Sequence, residues 1–122
     1  QKNAFPMKRS SAMQGAQYME NNSYQLRYLP LFEQDLIGVV NYITNVLKNE
    51  DAALRLINDV EAAILKRLDN PLSYEPYPST KKRDYPYYRI YVRNYVVYYV
   101  VIGNVMEVRR FLYGPRDTEQ YL

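Results

Sequence analysis

The last third of the chain, from Tyr88 to Asp117, most constrains the fold because it contains three consecutive segments with the composition of β-strands. These segments are rich in Val, Ile and Tyr, which favour the half-buried surface of a pleated sheet. Asn94 interrupts the run once and the pair Gly103-Asn104 interrupts it again, and such short breaks indicate tight turns. The sequence therefore predicts an antiparallel meander of three strands.

The first two strands differ in how their faces are patterned. In Tyr88–Arg93, the side chains of Arg89, Tyr91 and Arg93 alternate with apolar ones. This alternation predicts one face in the core and one basic face. The next segment, Tyr95–Ile102, has no polar side chain except tyrosine. That composition predicts a central strand covered on both sides.

The last strand, Val105–Tyr113, contains an arginine in an unexpected place. Strict alternation predicts that Arg110 shares the more apolar face with three hydrophobic side chains. These are Met106, Val108 and Leu112. Because an unpaired buried charge is very costly, Arg110 requires a carboxylate, a backbone acceptor or a ligand.

Two amphipathic helices precede the meander. Apolar residues recur at three-to-four spacing over Pro30–Lys48 and again over 53–68. Proline suits the first turn of a helix, and residues 49–51 suit a turn followed by an N-cap. A link this short requires an antiparallel helical hairpin. Before the hairpin, the alternating segment Tyr24–Leu29 predicts one further strand.

The predicted order is therefore β-α-α-β-β-β. It indicates an α+β fold in which the helical hairpin packs on one face of a mainly antiparallel sheet. The pattern leaves the partner of the first strand open. A chain of 122 residues is long enough for one domain. We expect residues 24–122 to form it, and residues 1–23 to be an N-terminal extension that is vector-derived or disordered.

The absent residue types exclude several kinds of site. The chain has no Cys and no His, which excludes disulfides, thiol catalysis and imidazole chemistry or metal ligation. Proton transfer would have to use Tyr, Lys, Glu or Asp. We expect no metal and no cofactor. No apolar run is long enough to span a membrane, so we expect no membrane partner.

Charge is unevenly distributed along the chain. The predicted helical region is acidic, whereas residues 70–122 are basic and hold most of the tyrosines. This distribution suggests that the sheet faces an anion. The connector 70–87 adds the triplet Lys81-Lys82-Arg83. This triplet is either a solvated loop or an arm that contacts phosphate beside the sheet.

From Tyr24 onward the chain resembles the RelE/ParE superfamily of toxins from type II toxin–antitoxin systems. The resemblance rests on the element order, on the Asn-Tyr strand start at 94–95 and on a set of residues at the end of the meander. These are Arg110, Tyr113, Gly114, Arg116 and Asp117. The resemblance implies a cytoplasmic bacterial toxin that a cognate antitoxin holds inactive. Such toxins use the concave sheet face either to cut mRNA on the ribosome or to bind and poison DNA gyrase.

The resemblance also implies a site. Four residues match positions that serve cleavage in family nucleases: Arg89, Arg110, Tyr113 and Arg116. We expect substrate contacts from five further side chains: Lys81, Lys82, Arg83, Tyr91 and Arg93. One position departs from the nuclease pattern, because Val96 stands where ribosome-dependent members commonly carry arginine.

Three hypotheses follow from the resemblance. The arginine and tyrosine cluster favours a metal-independent, ribosome-dependent mRNA endonuclease. Val96 and the missing histidine favour a gyrase inhibitor without cleavage chemistry. A degenerate toxin that only binds its antitoxin is the third. In each case we expect an acidic, partly disordered antitoxin that folds across the helices and the basic sheet.

Overall fold

A computed structural model describes residues 23–79, 81–115 and 118–122. The prediction of an N-terminal extension falls, apart from Ser23, outside the described residues. The elements, in chain order, are β1 (Gln25–Tyr28), α1 (Pro30–Asn41), a π-helical turn (Tyr42–Val46), α2 (Glu50–Leu68), β2 (Tyr88–Val92), β3 (Tyr95–Ile102), β4 (Val105–Tyr113) and a 3-10 turn (Glu119–Tyr121).

The four strands form one sheet in the order β1-β4-β3-β2. Strands β2, β3 and β4 make the predicted antiparallel meander. Strand β1 lies parallel to β4, with Leu26 opposite Met106. The predicted α+β fold is confirmed, and the pairing of the first strand, which the sequence left open, is with the last strand.

The hairpin follows the local signals in the sequence. Pro30 occupies the first turn of α1. The side chain of Asn49 caps α2 by accepting a 3.0 Å hydrogen bond from the backbone N–H of Ala52. Helix α1 ends earlier than predicted, because Leu47 N–H donates to the carbonyl of Tyr42, the wider spacing of a π-turn. Among the described helices, none is both long and apolar enough to cross a membrane.

The main core lies between the hairpin and one face of the sheet. Its helical side includes Phe32 and Leu36 from α1 and Val60 and Ile64 from α2, all fully buried. Tyr99 of β3 is fully buried against them. Burial of this apolar area supplies the main driving force for folding.

A second, smaller core covers the opposite face of the sheet. Val96, Tyr98 and Val100 of β3 are buried there, together with Leu112 of β4. The cover comes from the connector between α2 and β2 and from the C-terminal residue Leu122. Strand β3 is therefore covered on both sides, as its composition predicted.

A β-bulge in β4 overturns the predicted alternation of that strand. Arg110 pairs with Tyr98, whereas Val108 pairs with Tyr99, the next residue of β3. Arg109 is the extra residue, so the faces of β4 exchange at this point.

The exchange moves Arg110 to the face opposite the one predicted. Phe111 joins the main core, and Leu112 joins the second core. The expectation that Arg110 shares a face with Met106 and Val108 is wrong. The reason is that side chains alternate between the two faces of a strand, so one inserted residue moves every following side chain to the opposite face.

Candidate functional site

Arg110 lies at an edge of β4 that β1 leaves unpaired. Asp35 of α1 accepts hydrogen bonds from Arg110 Nε (2.7 Å) and Nη2 (2.9 Å). The same carboxylate accepts a 3.0 Å bond from the backbone N–H of Phe111. Asp35 thus supplies a hydrogen-bond acceptor to the backbone of β4 beyond the point where β1 ends. Hydrogen bonding to Asp35 raises the pKa of Arg110, so the arginine stays charged.

The carboxylate partner that the sequence demanded for Arg110 is therefore Asp35. A third contact, from Arg110 Nη1 to the carbonyl of Tyr121 at 3.0 Å, ties the C-terminal turn to the same residue. The guanidinium of Arg110 therefore links α1, β4 and the C-terminal turn through hydrogen bonds within the protein.

Tyr113 lines a cleft between α1 and the end of β4. The cleft encloses about 440 Å³ and is also lined by Tyr42 and Tyr95. The rings of Tyr95 and Tyr113 meet edge to face at 5.9 Å. Burial raises the pKa of Tyr95, and the neighbouring Tyr113 and Tyr42 hydroxyls raise it further. The cleft therefore presents phenol hydroxyls, and that of Tyr95 is a weaker acid than an ordinary tyrosine hydroxyl.

Arg89 projects from β2 on the other face of the sheet. Its guanidinium carbon lies 4.9 Å from the ring centre of Tyr77 and 5.7 Å from that of Tyr91. Within the described part of the chain, it has no carboxylate partner. Tyr91 beside it is 66% exposed. The structure thus brings these two predicted residues together as an accessible cation–aromatic pair.

The strand register relates the predicted catalytic residues to one another. Arg89 pairs with Tyr98 of β3, which pairs with Arg110, so these three residues form one row across the second face. Tyr113 pairs with Tyr95, whose ring stacks on Phe111 of the main core. Tyr113 therefore lies on the opposite face of the sheet from Arg89.

The basic triplet of the connector is engaged at two of its three positions. Lys81 Nζ donates to the carbonyl of Glu119 at 3.0 Å. Arg83 Nη1 donates to Ser79 Oγ at 2.8 Å. Lys82 is exposed and makes no hydrogen bond or ion pair with residues 23–79, 81–115 and 118–122. Lys81 therefore binds the C-terminal turn and Arg83 binds the loop itself. Neither the solvated loop nor the phosphate-contacting arm considered from the sequence included these contacts.

Arg93 is a turn residue and not the end of a strand. Strand β2 stops at Val92, and Arg93 has a φ of 56°, which is uncommon for a residue other than glycine. Its side chain reaches α2, where Nε donates to Asp59 Oδ2 at 3.1 Å. The prediction that Arg93 extends the basic face of the strand is wrong, because the turn redirects its side chain towards the helix.

Sequence reasoning missed Arg67, which organises the edge of the sheet. Its Nη1 donates to the backbone carbonyl of Arg89 and to the hydroxyl of Tyr99, both at 3.0 Å. Its guanidinium carbon lies 3.5 Å from the ring centre of Tyr74. Nothing in the local sequence marks this role. The role of Asp35 had a signal, because a carboxylate there interrupts the apolar stripe of α1.

A second ion-pair cluster also escaped prediction. Glu107 is buried and accepts hydrogen bonds from Arg27 of β1 and from the bulge residue Arg109, each at 2.8 Å. Burial alone would raise the pKa of Glu107, but the two arginines more than offset it and the pKa is lowered. This cluster links β1 to β4, so Arg109 has a structural partner.

Arg116 and Asp117 lie outside the described residues, and the catalytic role of Arg116 stays a prediction. Within the described part of the chain, no group of three acidic side chains could hold a metal ion. What the arrangement offers is hydrogen-bond donors, the cations of Arg89 and Lys82, and exposed aromatic rings.

Comparison with known proteins identifies the relatives of this chain. Residues 26–118 match the family described as "ParE toxin of type II toxin-antitoxin system, parDE". A solved structure described as "Chromosomal ParDE TA system from P. aeruginosa" superposes with a TM-score of 0.60 at 16% sequence identity. The match covers 76% of this chain and 98% of that chain, and it shows a shared fold. No curated protein matches the sequence. The resemblance to RelE/ParE toxins is confirmed.

Proposed function

Because the chain belongs to the ParE family of toxins from type II toxin–antitoxin systems, we propose that it acts by binding and poisoning DNA gyrase. This mode is the one that the resemblance implies for ParE-like members of the superfamily. The family assignment also supports a cognate antitoxin as its partner. Cleavage of mRNA on the ribosome is the alternative that the experiment below separates.

The placement of Arg89 and Tyr113 carries the proposal. Cleavage of RNA needs a general base and a cation at one phosphate, within hydrogen-bond reach of the reacting atoms. These two residues lie on opposite faces of the sheet. Arg110, the third described candidate, lines the same cleft as Tyr113, but its guanidinium is bonded to Asp35. Arg89, which has no carboxylate partner among the described residues, lies on the other face, and this separation favours a binding function.

Val96 supports the same conclusion. Its side chain is 3% exposed and packs with Leu112 in the second core. Ribosome-dependent nucleases of the superfamily commonly place an arginine at this position. A buried valine beneath the connector leaves no room for a cation aimed at RNA.

Arg89 and Tyr91 offer a surface suited to a protein partner. Arginine and tyrosine are the residue types enriched among those that contribute most to binding energy. Tyr91 is exposed, and the guanidinium carbon of Arg89 lies 4.9 Å and 5.7 Å from the ring centres of Tyr77 and Tyr91. We place the gyrase contact at this pair.

A two-arm assay tests the function. Purified protein is added to gyrase with relaxed plasmid, and both supercoiling and trapped cleaved DNA are measured. In parallel, the protein is added to ribosomes programmed with mRNA, and the mRNA ends are mapped. We expect loss of supercoiling with cleaved DNA, and intact mRNA. Unchanged supercoiling together with cut mRNA would establish the nuclease instead.

The surface is tested by charge reversal. Because loss of a central interface residue costs about 2 kcal/mol or more, Arg89→Glu should weaken gyrase inhibition at least about tenfold. Arg55→Glu makes the same charge change on an exposed site of α2 and is the matched control. Both variants are first checked for an unchanged melting temperature. Equal inhibition by the two variants would exclude Arg89 from the contact.

A further inference from the structure

Residues 77–79 and 81–83, here called the connector loop, place hydrogen-bond donors beside Glu119. The Tyr77 hydroxyl donates to Oε1 and the Ser79 hydroxyl donates to Oε2, each at 2.8 Å. Lys81 Nζ donates to the backbone carbonyl of the same glutamate at 3.0 Å. These contacts join a segment of the connector to the C-terminal turn, 38–42 residues away in sequence.

Arg83 lies at the base of this arrangement and is incompletely satisfied. Its side chain is only 14% exposed, and Nη1 donates to Ser79 Oγ at 2.8 Å. Nη2 is buried with no hydrogen-bond partner, and it lies 3.9 Å from Glu119 Oε2. That separation is too long for a hydrogen bond. A buried donor without an acceptor is unfavourable, so the loop has capacity for one more oxygen.

The planar shape of the Glu119 carboxylate explains why Arg83 Nη2 has no hydrogen bond. A carboxylate offers two oxygens in a plane, and Tyr77 and Ser79 already engage one each. A phosphate group offers more oxygens at tetrahedral angles, and two further donors lie close by. Arg83 Nη2 is 3.9 Å from Glu119 Oε2, and Lys81 Nζ is bonded to the backbone carbonyl of Glu119. A cleft of about 150 Å³ adjoins them, lined by the four donor residues together with Pro86 and Tyr87.

We propose that the connector loop is a binding site for a phosphate group and that Glu119 occupies it as an internal competitor. The four donors of Tyr77, Ser79, Lys81 and Arg83 form the site, and release of the C-terminal turn opens it. Hydrogen bonds from Tyr77 and then Ser79 lower the pKa of Glu119, which agrees with surroundings that favour negative charge. The inference is independent of the toxin's target.

The phosphate can come from two sources, a free ion or the backbone of a nucleic acid strand. Both present the same tetrahedral oxygens to the loop. A strand would gain additional contacts from Lys82, which is exposed beside the site, and from the basic character of residues 70–122. An acidic peptide would offer only planar carboxylates and would leave Arg83 Nη2 without a hydrogen-bond partner.

Removing the competitor tests the site. Inorganic phosphate, a short single-stranded oligothymidylate and a short polyglutamate peptide are titrated separately into the full chain, and binding is measured by calorimetry and by NMR shifts of Ser79 and Arg83. Glu119→Ala should bind phosphate about tenfold more tightly than the parent chain, which corresponds to about 1.4 kcal/mol. Glu75→Ala removes an exposed carboxylate of the same connector and should leave affinity unchanged.

The second substitution identifies the donor. Adding Arg83→Met to Glu119→Ala should cancel the tenfold gain. A gain seen with both phosphate probes, or with either one, supports the site and identifies the source. The proposal fails if Glu119→Ala gains no affinity for either, if Glu75→Ala gains as much, if the gain survives Arg83→Met, or if only polyglutamate gains.

Discussion

Replacing Asp35 with alanine should destabilise the protein strongly, because this carboxylate accepts three hydrogen bonds at a sheet edge. Two come from Arg110 and one comes from the backbone N–H of Phe111. The side chains of Arg110 and Asp35 are 15% and 14% exposed. The substitution therefore leaves a mostly buried guanidinium without its counter-charge and a backbone donor without its acceptor.

The size of the effect follows from the burial of the pair. Removing one partner of a fully buried ion pair costs about 3–5 kcal/mol. Because the pair keeps slight exposure and Arg110 still donates to the carbonyl of Tyr121, we expect the low end of that range, about 3 kcal/mol. For a domain of this size, 1 kcal/mol shifts the melting temperature by roughly 4–8 °C, so a loss of about 3 kcal/mol should lower it by roughly 12–24 °C.

Urea and thermal unfolding of the purified variants measure this loss. Asp59→Ala is the matched control, because it breaks an arginine–aspartate pair whose side chains are 44% and 50% exposed. Exposed pairs contribute about 1 kcal/mol or less. Adding Arg110→Met to Asp35→Ala should recover part of the stability by removing the unpaired charge. If Asp35→Ala costs no more than Asp59→Ala, the edge-capping argument is refuted.

Two further predictions concern buried polar groups. Tyr99→Phe should cost about 1–3 kcal/mol in urea unfolding, because Arg67 and the carbonyl of Pro71 both lose their bond to that hydroxyl; an unchanged midpoint would contradict it. The pKa of Glu107 is lowered below its ordinary value of 4.5 in the folded state, so its stabilising effect is complete above that pH and is lost as pH falls through the folded pKa. Glu107→Gln should therefore flatten the acid limb of a stability–pH profile, and parallel profiles for the two proteins would refute this assignment.

Local sequence signals were sufficient to predict the elements and their order. The helix starts at Pro30 and at the Asn49 cap depend on neighbouring residues alone, and both are confirmed. Alternation in β2 correctly predicted that Arg89 and Tyr91 project away from the main core. These features repeat over a few residues, so a short window contains the information needed.

Features that depend on distant residues were not predictable in this way. The bulge at Arg109 arises from the fit of β4 to β3, and it reversed the assignment of Arg110. The engagement of Lys81 requires Glu119, which lies 38 residues further along the chain. The sequence could show that Arg110 needed a partner, but it could not show which carboxylate the fold would bring to it.

The parallel pairing of β1 with β4 also determines when the sheet can form. Arg27 and Glu107 bond across 80 residues of intervening chain. Closing so long a loop costs entropy before the contact stabilises anything, which slows folding. During translation, β1 must wait until β4 has left the ribosome before it acquires its partner. A polypeptide whose synthesis stops before residue 105 has neither β4 nor the attachment site of β1, so interrupted translation yields an incomplete sheet and no folded toxin.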